Sequence, residues 1–260
     1  MVMHRNCTFV IAVSCSLVVV ACGKKKKTGT SVTAQLALQN STGASLVDSE
    51  CPDLGGGYHP DQCWTPTAYG LKILQVDISP DAEGAHSAPA GLIWGNTACA
   101  MGTGSMDIDG KSYDYDSLDG HCSYKDIADY FELARSSSEV NTALNSQQHK
   151  ILPGVYNYVQ IEFCNGGTQP EAPNARFLAD GMTEPFEARS TTCAVHSVAA
   201  NPPIVVAEGE SVKISLTYDL TNIISSSSDP DPTKCYVSAD KSVTRCFSFP
   251  LNMTPSISRQ

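Results

Sequence analysis

The sequence predicts a mainly β protein: an antiparallel β-sandwich with a short helical insertion, stapled by disulfides. Three observations carry this expectation. Short stretches of alternating polarity recur between clusters of Gly, Pro, Asn and Asp; only one central region shows helical spacing; and cysteines are spread singly along the chain.

Val32, Ala34, Leu36 and Leu38 alternate with polar residues, the mark of a half-buried strand. Leu71 to Ser79 reads as a second, ended by Ser79-Pro80-Asp81. Ser105 to Asp116 holds Asp109-Gly110 between alternating flanks. That is a type I′ hairpin signal, because both central residues of the turn need positive φ. Val155–Phe163, Thr191–Val198, Ser211–Asp219 and Val243–Leu251 follow, and Glu208-Gly209-Glu210 turns Ile204–Val206 into Ser211–Tyr218. About nine or ten strands separated by turn signals point to a sandwich.

The helical region begins at Ser123, whose hydroxyl is placed to cap a helix with Asp126 in its first turn. Ile127, Phe131 and Ala134 then share one helical face through about Arg135. Ser137 is the expected cap of a second helix, Ser138–Asn145, and Leu152-Pro153-Gly154 ends helical structure. The insertion therefore occupies about residues 123–146 of a body running from 31 to 260.

The first residues differ from the rest. Met1 to Asn6 carries Arg5, Cys7 to Val20 is almost entirely apolar, and Ala21 precedes Cys22. A positive start, a short apolar run and a small residue before a cut describe a secretory signal peptide, residues 1–21. The run is about 14 residues, where a membrane-spanning helix needs about 20. Val19-Val20-Ala21-Cys22 resembles the lipobox of bacterial lipoproteins, with Val20 where Ser, Ala or Thr is commoner. The resemblance implies a diacylglycerol on the Cys22 thiol and cleavage that leaves Cys22 first. Each buried CH2 of such chains contributes about 0.8 kcal/mol to anchoring. The alternative is an ordinary secretory peptide with Cys22 unmodified.

Residues 22–30 then form a tether, expected to be flexible, whose Lys24 to Lys27 are either a solvated spacer or a contact for anionic headgroups. Lys24 also stands where, in enteric-type bacteria, an Asp retains lipoproteins at the inner membrane. By that resemblance the outer membrane is favoured.

Eleven cysteines are present; Cys7, Cys15 and Cys22 belong to the N-terminal segment. Eight remain: Cys51, Cys63, Cys99, Cys122, Cys164, Cys193, Cys235 and Cys246. An even number in an oxidising compartment reads as four disulfides, with sequential neighbours the simplest pairing. Each would contribute roughly 3 kcal/mol in the chain-entropy picture. The rival, a metal cluster, lacks any C-x2-C spacing among the eight.

Five of the 17 Lys and Arg precede Thr28, leaving 12 against 27 Asp and Glu, a net charge of −15 for the body. Such a surface repels phosphate backbones, so nucleic acid is not an expected partner. Hydrolytic signatures such as G-x-S-x-G and H-E-x-x-H are missing, and Met101 to Gly104 is too short for a phosphate loop. His59, His86, His121, His149 and His196 are scattered singly.

Asp107, Asp109, Asp114, Asp116 and Asp119 fall within 13 residues, and carboxylates on turns suit hard Ca2+. Asp107-Ile108-Asp109-Gly110 resembles the opening of an EF-hand loop, but Leu118 occupies its twelfth position, so that motif fails. A Ca2+ site on Asp107, Asp109, Asp114 and Asp116 and a plain acidic hairpin both stay open. Trp64, Trp94, Tyr113 and Tyr115 lie near turns, where rings either fill the core or stack on sugars and protein partners.

Leu152-Pro153-Gly154-Val155-Tyr156 and Val206 to Leu220 resemble closing strands of immunoglobulin- or transthyretin-like sandwiches in exported bacterial lipoproteins. The likeness covers less than a tenth of the chain and implies a sandwich. Two readings of function follow. The first is a lipid-anchored envelope module that binds a glycan, an envelope protein or a surface partner through loops on a rigid scaffold, or serves structurally. The second is a secreted hydrolase whose site assembles from dispersed carboxylates and histidines.

Overall fold

The computed structural model describes residues 26–42, 62–81, 91–118, 122–145, 147–162, 175–178, 186–188, 195–227, 235–238, 243–248 and 253–259. The strands at 62–64, 186–188, 224–227, 235–238 and 243–248 are described through their backbone. Residues 1–21, read as a signal peptide from the sequence, and Cys22, Cys51, Cys164 and Cys193 lie outside the described residues.

Two four-stranded sheets enclose the main core. In the first, Val32–Asn40 lies between Gln148–Ile151 and Ser211–Tyr218, with Met253–Arg259 beyond. Its alternation puts Val32, Ala34, Leu36 and Leu38 inward, and Ser211–Tyr218 adds Val212, Ile214, Leu216 and Tyr218. These two strands run parallel, Thr33 opposite Ser211 and Asn40 opposite Tyr218. The other pairings of the sheet are antiparallel.

The second sheet is antiparallel throughout, ordered Val195–Val206, Gly154–Glu162, Gln75–Ser79, Gly91–Gly95. Val76, Ile78, Val159, Ile161 and Ile204 meet the first sheet in one apolar cluster. Burying each large aliphatic side chain contributes about 1.5–3 kcal/mol. Val195–Val206 is an edge strand, which is where Pro202 and Pro203 can be tolerated, since neither donates to a ladder.

Smaller sheets flank the sandwich. Ala68–Leu71 and Ala175–Leu178, with Phe131–Glu132 and Phe186–Ala188 at the edges, send Tyr69, Leu71 and Phe177 into the core. Cys235–Ser238, Val243–Ser248, Ile224–Ser227 and Gln62–Trp64 make another. Met101–Ile108 and Lys111–Leu118 form the expected hairpin, whose turn residues Asp109 and Gly110 have φ of 50° and 79° as a type I′ turn requires. The architecture is thus a mainly β sandwich with antiparallel sheets, apart from the parallel pair and the short Lys27–Thr28 strand.

Three expectations are corrected. Leu71–Ser79 is not one strand: the chain leaves the ladder at 72–74, because the consecutive Ile73 and Leu74 are both buried, in separate clusters. The helix expected from Ser123 is a single 3-10 turn, Tyr124–Asp126, although the Ser123–Asp126 capping box forms. Phe131–Glu132 instead pairs with Gly70 and Leu71, which lets Leu133 be fully buried, a position off the expected helical face. The second helix, α1, runs Ser137–Leu144, and its cap is Ser136, with Glu139 completing the capping box.

Helix α1 has a structural task. Gln148–Ile151 covers only the first half of Val32–Asn40, up to Gln35. Past that point Asn141 replaces a strand: its Nδ2 donates to the Leu38 carbonyl (2.6 Å) and its Oδ1 accepts the Leu38 N–H (2.9 Å). Ser137 Oγ accepts the Asn40 N–H at 2.9 Å. The otherwise open edge is thereby closed.

Cys99 and Cys122 form a disulfide, with Cα atoms 5.4 Å apart. Cys99 packs with Leu74 and Ile127 in a small second cluster. Cys235 stands directly opposite Cys246 in an antiparallel ladder, and residues so opposed have Cα atoms about 4.5–5.5 Å apart, within the span of a disulfide.

Truncating Asn141 to Ala strands two half-buried backbone groups of Leu38. Asn141→Ala is expected to destabilise the protein by about 1–3 kcal/mol, read as a lower urea midpoint at unchanged slope.

Candidate functional site

The segment expected to be a flexible tether is instead bound from Lys26 onward. Lys27–Thr28 pairs in parallel with Lys111 and Ser112. Lys26 ion-pairs with Asp107, the Gly29 N–H donates to the Ser112 carbonyl (2.9 Å) and Ser31 Oγ donates to the Asp114 carbonyl (2.6 Å). Gly29 is needed there because a Cβ would collide with the Tyr113 ring lying across it.

Glu208, in the turn after Val195–Val206, fastens this arrangement. Its carboxylate accepts the Thr30 N–H (3.1 Å) and the Lys111 ammonium, and interacts with the Tyr113 hydroxyl. The Gly209 N–H donates to the Thr30 carbonyl at 3.1 Å. The bond from Lys111, reinforced by the one from Thr30, holds the Glu208 carboxyl below the usual carboxylate range. Desolvation and the neighbouring Glu208 push the Tyr113 phenol up.

The acidic residues of the hairpin divide among separate partners. Asp107, Asp114 and Asp116 share one face by alternation, opposite Ser112, Ser105 and Thr103, while Asp109 sits in the turn. Asp107 is taken by Lys26, and Asp116 accepts the Lys150 N–H at 2.9 Å with His149 Nδ1 at 3.4 Å. Among the described residues no three His, Cys, Asp or Glu side chains come together as a metal site.

His149 is buried. Gln147 Oε1 already accepts the Gly95 N–H (3.2 Å), so His149 Nε2, at 2.8 Å, must be the donor to it. Burial lowers the His149 pKa and Asp116 pulls it back up. Burial also lowers that of His196.

The aromatic residues separate likewise. Trp94 is 6 % exposed and meets Phe131 edge-on at 6.0 Å, and Tyr113 is 5 % exposed. Both are interior residues, which corrects their reading as contact rings: each is drawn inward by a large apolar area that water would otherwise cover. Tyr115 is partly exposed and lies across Gly104. The Trp64 side chain lies outside the described part.

One constellation went unread in the sequence. On the face of the second sheet turned away from the main core, Gln160 stands opposite Asp77 and Glu162 opposite Gln75, all buried. Opposed side chains on one sheet face lie within about 4.5–5.5 Å at Cβ, and diagonal ones such as Asp77 and Glu162 within about 7–8 Å. Gln160 Nε2 donates to the Asp81 carbonyl and to Ser197 Oγ, both at 3.1 Å. Two carboxylates at such spacing are chemically competent for acid–base work when reached by substrate. Their alternation in LKILQVDIS and VYNYVQIEF reads as a water-facing side, and nothing local tells that side from one covered by other chain.

Family models, curated proteins and solved structures were all compared with the chain. None matches.

Because the Glu208 carboxyl is depressed, its stabilising effect is present above the ordinary carboxylate range and disappears as pH falls through its folded value. Amide protection at residues 27–30 is expected to fall on acidification before that of Ser211–Tyr218. Hydrogen exchange checks this, and in Glu208→Gln the low protection should already be present at pH 7.

Proposed function

We propose that this protein is a lipid-anchored component of the bacterial cell envelope, whose sandwich acts outside the cytoplasm as a binding or structural module. The observation that carries the reading is the lipobox-like Val19-Val20-Ala21-Cys22 after a short apolar run. The Cys99–Cys122 disulfide supports it, because such bonds persist in oxidising compartments. So does the register of Cys235 against Cys246. Among the described residues no helix is long and apolar enough to cross a membrane, so a Cys22 lipid would supply the attachment.

The module would present loops from a rigid scaffold to a glycan, an envelope protein or a surface partner. The net charge of −15 on the body favours partners with basic surfaces. Outer-membrane residence is the favoured placement in an organism with two membranes. Labelling of expressing cells with an alkyne fatty acid tests the anchor. Wild type should take up the label and fractionate with membranes, and Cys22→Ala should lose both. An unlabelled wild type indistinguishable from Cys22→Ala would sink the reading.

The Asp77–Glu162 pair favours a second reading, a secreted hydrolase with a dispersed carboxylate site. Asp77→Asn and Glu162→Gln separate the two. As structural residues of a buried polar face, they should shift thermal stability while binding of an identified envelope partner persists. A hydrolase would instead show turnover on a glycan or ester panel that falls about 100-fold or more in either variant.

A further inference from the structure

We infer that one end of the sandwich rests on the lipid surface, with Val155 and Val205 at the contact. The inference builds on the Cys22 anchor and adds an orientation to it. The first described residue, Lys26, lies only four residues beyond Cys22, which bounds the separation to about 14 Å even for a fully extended chain. Lys26 is ion-paired to Asp107 beside the Asp109–Gly110 turn, and the next residues, Lys27 and Thr28, are held by backbone pairing to Lys111 and Ser112. That turn is next to the Glu208 turn through the Lys111–Glu208 pair. A lipid on Cys22 therefore holds this end of the body, and no other, against the bilayer.

The same end carries exposed apolar side chains. The described residues have four large hydrophobic side chains that are strongly exposed: Met101, Val155, Val205 and Ile257. Val155 and Val205 oppose each other one rung from the Gly154–Val206 end of their ladder, directly before the Glu208 turn, and are 54 % and 51 % exposed. Ile257 stands apart from them, opposite Ile214 in the middle of its strand. Only Met101 is at the opposite end of the hairpin, across from Leu118.

Charge agrees with this placement. Lys26, Lys27, Lys111 and Arg259 stand there among Asp107, Asp109, Glu208 and Glu210, so this end is near neutral, while the chain from Lys26 on carries a net −13 (14 Lys and Arg against 27 Asp and Glu). An anionic leaflet repels the remainder of the surface and tolerates this end, where Lys24 and Lys25 add further attraction. Shallow burial of two valines at the headgroup boundary then stabilises the pose by the same apolar term that seats interfacial helices.

The test uses the full lipidated protein in vesicles of phosphatidylcholine and phosphatidylglycerol containing lipid with a nitroxide near the headgroup. Val205→Trp and, on the partner strand, Val155→Trp report contact; Met101→Trp is the control at the far end, and parent fluorescence is subtracted. Near-ultraviolet circular dichroism checks that each variant is folded, and flotation that each is bound. Emission of Val205→Trp or Val155→Trp should fall about twofold, with Met101→Trp unchanged. Floating protein with equal quenching at both ends, no quenching, or quenching of Met101→Trp alone overturns the orientation and leaves the anchor standing. A wild type that does not float, or a Cys22→Ala variant that floats as well, removes the anchor and the orientation with it.

Discussion

The pairing on which the rest of the molecule depends is that of Val32–Asn40 with Ser211–Tyr218. These strands are nearly 180 residues apart in sequence and run parallel in register over eight positions. No hairpin can make a parallel pair, so the intervening chain must first be arranged so that both strands reach one sheet. Val32–Asn40 also receives Gln148–Ile151 on its other edge, joining the first strand to the middle and the last part of the body. Its inward residues meet those of the second sheet, and the core exists only once this strand is in place.

That placement fixes the N-terminal segment. Because Val32 enters the sheet beside Ile151 and Thr33 beside Ser211, the preceding residues have to emerge between the hairpin turn and the Glu208 turn. The contacts of Lys26, Gly29, Thr30 and Ser31 follow from that exit path. Few of them is strong: exposed ion pairs contribute about 0–1 kcal/mol. Their effect is geometric, leaving a short covalent link between Cys22 and an ordered body.

The sandwich also shows how a chain closes an edge without another strand. Asn141 presents a donor and an acceptor to Leu38 in the spacing of a backbone amide, and its Nδ2 also donates to the Ser137 carbonyl. The helical insertion is therefore part of the sheet's hydrogen bonding. It also explains why α1 can be short: the capping box of Ser136 and Glu139 and the burial of Val140 and Leu144 hold it, where an isolated eight-residue helix would not persist.

Local chemistry was legible in the sequence. Alternating polarity marked Val32–Asn40 and Ser211–Tyr218, and Asp109-Gly110 specified its turn through positive φ. The proposed N-terminal attachment likewise rests on contiguous residues alone, as lipobox recognition needs no fold. Tertiary structure alone decided the remainder. Phe131 became a strand because Leu71 was available to pair with it, and Leu71–Ser79 broke where Ile73 and Leu74 had to fill two clusters. Trp94 and Tyr113 went inward, and Gln75, Asp77, Gln160 and Glu162 were covered on a side whose alternation reads as water-facing. Periodicity states that the two faces of a strand differ. Only the packing of distant segments states what each face meets.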